Sequence, residues 1–321
     1  MKRRHFIQLA AAAASAAIIS PVQAQEKILR IVLPYGPGGI TDVMTRMLTP
    51  SMSKTLNRTL LIENKPGAAG LISVRAVQNQ PTDGSLSIMA QNIGFIGMPY
   101  MQKVANYNAL KDFTPIAMLG DGPGYVYVHG SVPATNMAEF IAWAKTQPRG
   151  VETATSGPGG GSHTWTLLLA KRAGINLLAV PYKGSAEMTT ALITGEAKIM
   201  ISTATEALNS QVRAGKLRLI GVTSDKPSSL TPGVPVVADT IPGFVISGWI
   251  SLIGPAGMAQ TDVQAISNAV RIALAEPGVK EKFASLFTEV RHEGPAELAV
   301  TMGKVDEFYR RLVVDLNIVP Q

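Results

Sequence analysis

Cysteine is absent from this chain of 321 residues. Its absence excludes disulfides, thiol catalysis, thiolate metal sites and a lipidated N-terminal cysteine. Histidine is almost as scarce. Only His129, His163 and His292 lie beyond residue 24, too scattered for a zinc site. Aromatic residues make up 6% of the chain and charged residues 16%. No basic cluster is interleaved with aromatics, which excludes a nucleic-acid partner. Beyond residue 24 no segment stays apolar over about 18 residues, so no transmembrane helix is expected. Catalytic and nucleotide signatures are missing too. Ser162 is followed by His163 and Thr164, so no G-x-S-x-G exists, and Ser162 and His163 are chain neighbours, a poor arrangement for a nucleophile and its base. The glycines at 157, 159, 160 and 161 stop short of G-x-G-x-x-G, and no G-K-[ST] follows either glycine-rich turn. Neither a cofactor nor a metal is expected.

What is present begins with an export leader. Lys2, Arg3 and Arg4 form a basic start, Phe6 to Ile19 is alanine-rich and almost wholly apolar, and Val22-Gln23-Ala24 supplies small residues for cleavage. Arg3-Arg4 also gives the leader a twin-arginine look. Without it the formal charge falls from +7 to +4, because three basic residues leave and no acidic one does. That mild basicity suits an anionic small molecule rather than a polymer.

Strand-like and helix-like runs alternate along the rest. Strands are expected at 29–33, 59–63, 86–91 and 124–129, then at 153–156, 177–182, 198–203 and 217–223. Helices fall between them, with others at 136–147, 163–173, 261–276 and 296–317, and Pro50 is expected to kink or stop the first. Repeated βα units imply an α/β fold with mostly parallel sheets flanked by helices. The series restarts after the turn-rich Gly120 to Gly124, and a proline-rich stretch from Asp225 to Ser247 interrupts it again. The chain is therefore expected to cross twice between two lobes, residues 25–125 plus 250–321 and residues 126–249.

Two glycine-rich turns carry the chemistry. PYGPGGITD, Pro34 to Asp42, joins a strand to a helix start, and TSGPGGGSHT, Thr155 to Thr164, lies about 120 residues on. Each aims free backbone N–H groups and the positive end of a helix dipole at one point, which suits an anion. Either could instead be an ordinary tight connection. Duplication in the two lobes, at the carboxyl ends of strands, favours a ligand clamp. Asp42 would repel an anion and reads better as a brace for the loop. Asn92 either donates to a ligand or closes a turn, and Lys183 reads as a solvated surface charge.

These motifs, in order, resemble one family. PYGPGGITDVMTR (34–46), IENKPGAAG (62–70), PTDGSLSI (81–88), GPGGGSHT (157–164), VPYKG (180–184), LITGEAKIM (192–200), AGKLRLIGVTS (214–224) and GWISLIGPAG (248–257) together make the chain similar to the substrate-binding receptors of tripartite tricarboxylate transporters, the Bug or TctC-like family. The resemblance implies a periplasmic-binding-protein fold of type II, whose two lobes close over a small carboxylate ligand: a di- or tricarboxylate or an aromatic acid. It implies ligand-binding roles for Tyr35, Gly38, Gly39, Thr41 and Asp42, and for Gly159, Gly160, Gly161, Ser162 and His163. Asn92, Tyr182, Thr203 and Ala204, at the ends of later strands, are implied as well. The implied setting is a monomer in the periplasm that serves membrane transporter subunits or, in some relatives, a sensor. A hydrolase using Ser162 and His163 is the competing reading. The chain departs from the family at Tyr35-Gly36-Pro37, where an aromatic-Pro lead is usual, and at Ala238-Asp239, where the acidic residue is shifted.

Overall fold

The computed structural model describes residues 28–78, 80 and 86–320, with the backbone alone for 86–93. The leader lies outside the described residues. Strand β1 (Leu29–Leu33) buries Leu29, Ile31, Val32 and Leu33, so both of its faces are covered, as in an inner parallel strand. Each such side chain stabilises the fold by roughly 1.5–3 kcal/mol relative to exposure. Helix α1 (Ile40–Leu56) lays Ile40, Met44, Leu48 and Met52 on that sheet. It runs through Pro50 instead of ending there. Pro50 is exposed, so water can satisfy the carbonyl left without a partner, and the buried stripe holds the helix on either side.

The chain continues through β2 (Leu60–Asn64), α2 (Leu71–Val77), β3 (Leu86–Gln91), α3 (Asn92–Met101) and β4 (Phe113–Pro123). The other lobe holds β5 (Tyr125–His129), α4 (Met137–Lys145), β6 (Val151–Thr155), α5 (Gly161–Ala173), β7 (Leu177–Pro181), α6 (Ser185–Thr194), β8 (Ile199–Ser202), α7 (Glu206–Arg213) and β9 (Leu217–Val222). The chain then returns through β10 (Ser247–Pro255), α8 (Gln260–Leu274), α9 (Pro277–Ser285), β11 (Glu289–Val290) and α10 (Pro295–Asp315). One sheet has the order β11-β4-β10-β3-β1-β2 and the other β7-β6-β8-β5-β9.

The sheets are less parallel than the alternation suggests. β1 pairs in parallel with β2 and β3, and β6 with β7 and β8, whereas β10 is antiparallel to β3 and β4, and β5 to β8 and β9. The cause lies in the crossings. β5 and β10 each enter a lobe directly from the other one, at the edge where that lobe's βα strands end, so they must run against them. β4 passes to β5 through Gly124 alone, and Thr223 fastens the two crossings to each other. Its hydroxyl accepts the Gly124 N–H and donates to the Ile246 carbonyl, both at 2.7 Å. Helix α9 is not anticipated by the sequence pattern, because the expected helix stops at 276 before Pro277, whereas Pro277 opens α9 at its first position, where a proline fits.

Candidate functional site

The two glycine-rich turns match at their last two glycines and differ at their first, since Gly157 is left-handed (φ +84°) and Gly36 is not. Gly38 and Gly159 are left-handed, with φ of +83° and +82°, a region that glycine enters without steric cost. The next residues, Gly39 (φ −72°, ψ 164°) and Gly160 (φ −73°, ψ 159°), are the N-caps of α1 and α5. A third helix, α6, also has a glycine N-cap, Gly184, in a fully extended conformation (φ −179°, ψ 178°). Glycine has no side chain, so none of these three starts carries a side-chain cap. The positive ends of these helix dipoles therefore face the space ahead of them without a capping side chain.

All three starts meet at one cavity. A Cβ on Gly39 would lie 3.1 Å from Ser185 Oγ, so the first turn of one lobe touches the α6 start of the other. The enclosed space between them is about 70 Å³, several times the roughly 10–15 Å³ that one water needs. Tyr35, Gly39 and Thr41 line it from one lobe, and Gly161, Ser162, Ser185 and Thr203 are among those lining it from the other. Among the described residues no side chain in the lining is charged. Polarity comes from hydroxyls, helix ends and the Trp165 indole N–H, which is buried without a hydrogen-bond partner.

Each turn is braced by its own means. Asp42 points back into its loop, where it accepts from Gly38 N–H (3.1 Å), Arg46 Nε (3.0 Å) and Asn64 Nδ2 (3.1 Å). Burial pushes its carboxyl up, but the hydrogen bonds from Arg46, Gly38 and Asn64, with the Arg46 charge, more than offset this and hold it below the usual carboxylate range. Ser162 Oγ accepts the Ser156 N–H at 2.8 Å and pairs with Ser156 Oγ at 3.0 Å. The Tyr35 ring is half-exposed, yet its hydroxyl is buried against Gly94, and burial pushes it up to about 12. It stays a neutral donor.

Residues 44–297 match the profile of the tripartite tricarboxylate transporter family receptor. The chain belongs to that family. It is 32% identical over 299 residues to a Cupriavidus necator protein encoded in the gbd 5′ region, covering 90% of both chains. Among solved structures it resembles the periplasmic binding protein BugD, with a TM-score of 0.85, 27% identity, and coverage of 92% of this chain and 99% of that one. It also resembles MatC from Rhodopseudomonas palustris, solved with bound malate, with a TM-score of 0.83, 25% identity, and coverage of 89% and 98%. The protein is thus a solute-binding receptor of the TctC type with the fold of the periplasmic binding proteins.

In this receptor Tyr35, Gly39, Thr41, Gly161, Ser162 and Thr203 come together around the cavity. Gly38, Asp42, Gly159, Gly160, His163 and Ala204 fall outside its lining. Gly38 and Asp42 shape and brace the first turn. Gly159 packs against lobe-one helix α3, its would-be Cβ 3.1 Å from Met98 Cα, and Gly160 is pressed onto Ser156. Ala204 is fully buried in the lobe-two core. His163 Nδ1 is buried without a hydrogen-bond partner, and burial lowers the imidazole's pKa. The Asn92 side chain lies outside the described residues.

Tyr182 lines a neighbouring cleft, and its hydroxyl donates to Glu196 Oε1 at 2.8 Å. Burial, together with that acceptor and its charge, pushes the phenol up to about 12. The reading from sequence missed the α6 start (Gly184, Ser185, Thr189) and Trp165. The signal for the first was present, since Gly184-Ser185 follows strand β7 in the same strand–glycine–helix order as the two turns. Trp165 lines the cavity and packs on both crossings, its ring atoms 2.9 Å from a Cβ at Gly124 and 3.3 Å from one at Gly248.

Proposed function

We propose that this receptor captures a small organic carboxylate in the periplasm, between its two lobes, and delivers it to a tripartite tricarboxylate-type membrane transporter without chemical change. The observation that carries the reading is the cavity itself: three glycine-capped helix starts, drawn from both lobes, surround a space with no charged side chain. Each helix start carries about half a positive charge, and bare N–H groups there accept an anion. A carboxylate held between the lobes would leave water, which strengthens every charge-assisted hydrogen bond it makes. The malate bound in MatC is consistent with this reading. Delivery to a transporter is inferred from family membership.

Calorimetry with the mature receptor against aliphatic, amino-acid and aromatic carboxylates tests the reading. At least one acid is expected to bind tightly with a stoichiometry near one. A panel without any binder would sink the proposal. Turnover of an ester or amide that disappeared in Ser162→Ala would replace it with a hydrolase. The geometry gives that outcome little support, because no hydrogen bond among the described residues joins Ser162 to His163 and the Ser162 hydroxyl is already engaged by Ser156.

A further inference from the structure

Beside the inner cavity lies a second, larger space. The outer cleft, about 560 Å³, is walled by Gly67 to Ala69, Gln102 and Val104 of one lobe and by Ser156 to Pro158, Pro181 to Lys183 and Glu187 of the other. Ser156 lines both spaces, so they adjoin. Among the described residues the inner cavity is lined by no charged side chain and the outer cleft by two, Lys183 and Glu187, four residues apart around the start of α6.

The two charges are not equivalent. Glu187 Oε2 accepts the Lys183 backbone N–H at 3.1 Å, which commits the carboxylate to the helix start. Among the described residues Lys183 forms no ion pair. Its ammonium is therefore the uncommitted charge of this cleft. The facing wall is conformationally unusual. Gly67, Ala68, Ala69 and Gly70 are all left-handed, with φ of +126°, +46°, +55° and +106°. Left-handed residues other than glycine gather at ligand clamps, where surrounding contacts hold the strain.

We propose that Lys183 is a specificity-determining residue of this receptor. It reads the far end of the ligand in the outer cleft and selects acids that carry a second anionic group there. The inference rests on the carboxylate reading above and adds to it which acids are preferred. It also reverses the expectation that Lys183 is merely a solvated surface charge.

The test is calorimetry on the mature receptor with α,ω-dicarboxylates of increasing chain length, each paired with its monoamide, which keeps the shape and removes one charge. In about 20 mM salt, at least one diacid is expected to bind about fivefold tighter than its monoamide, the size of a partly exposed ion pair. Lys183→Gln is expected to remove that preference and leave monoamide affinity unchanged. Lys183→Arg is expected to keep it, and about 0.5 M NaCl to erase it, since exposed pairs are screened. If every monoamide binds as well as its diacid, or if Lys183→Gln retains the preference, the proposal is overturned while the carboxylate reading stands. If neither compound of any pair binds, the proposal is overturned, and the carboxylate reading falls with it only if the wider panel of amino-acid and aromatic acids also yields no binder.

Discussion

The turn at 35–42 and the turn at 156–163 share the sequence Gly-Pro-Gly-Gly and the conformation of its last two glycines, yet they are secured in different ways. The first is tied within its own lobe. Asp42 gathers Gly38, Arg46 and Asn64, and Asn64 also donates to the Tyr35 carbonyl at 2.9 Å. The second has His163 where the first has Asp42, and His163 Nδ1 makes no hydrogen bond. Its internal tie is the Ser156–Ser162 pair. Its outer edge leans on the opposite lobe: Gln102 Nε2, just past the end of α3, donates to the Pro158 carbonyl, and Gly159 sits on Met98. One turn is braced by side chains of its own lobe, while the other also leans on the opposite lobe. If the proposed closure over a ligand occurs, the second turn is where it is linked to binding.

Substitutions at matched glycines are the sharpest way to break this comparison. A side chain at Gly160 meets Ser156 Oγ at 2.0 Å and Ser156 Cβ at 2.9 Å, so Gly160→Val cannot keep the turn. With two or more charge-assisted hydrogen bonds lost, ligand affinity is expected to fall about a hundredfold. At Gly39 the nearest atom is a rotatable hydroxyl, Ser185 Oγ at 3.1 Å, and Gly39→Val is expected to cost about tenfold. Equal losses in calorimetry would show that the turns are energetically alike. Gly159→Ala and Gly38→Ala make a finer pair. Both place a side chain in the left-handed region, at about 1–2 kcal/mol of stability. Gly38 has open space around it, whereas a Cβ at Gly159 meets Met98 Cα at 3.1 Å. Chemical denaturation should therefore show similar losses, and only Gly159→Ala should also weaken binding, by about tenfold. Binding unchanged in Gly159→Ala would mean that the α3 contact plays no part in holding the ligand.

How much of this was legible depended on whether the signal was local. The strands at 29–33 and 86–91 and the capped helix starting at Asn136 were readable because each carries its own pattern, and Asn136 does accept the Glu139 N–H at 3.0 Å. The bracing role of Asp42 was readable from its place in the first helical turn. Strand β4 was not, because Gly120, Asp121, Gly122 and Pro123 look like a turn. They are extended, and Gly120 needs to be glycine because another segment presses on it, since a Cβ there would meet the Glu289 carbonyl at 2.9 Å. Nothing near residue 120 in the chain foretells a neighbour 170 residues away. Lys183 could be placed at the cleft edge from the end of its strand, but what faces it there could not. Its cleft has walls from residues 67–69 and 102–104, and only the fold brings these together.

The smallest predicted effects separate the two turns by pH. The folded Asp42 carboxyl titrates below its unfolded value of about 3.9. Its contribution is therefore complete above that value and is lost as pH falls through the lower, folded value. Asp42→Asn is expected to cost about 1–2 kcal/mol at pH 7 and progressively less below pH 4. His163 works in another window. Burial holds its folded pKa below the ordinary value of about 6.5, so the unfolded chain takes up the proton first. Stability is then intact above about 6.5 and declines as pH falls below it. His129 adds to the same decline, lowered by burial and by Lys198 and Arg218. His163→Gln should accordingly flatten the stability profile between about pH 5 and 6.5 without abolishing its slope, and leave the Asp42 window untouched. Denaturation curves across that range decide the matter. A profile unchanged in His163→Gln would mean that the second turn carries no titrating group of its own, and the contrast between the turns would reduce to Gln102, Met98 and the serine pair.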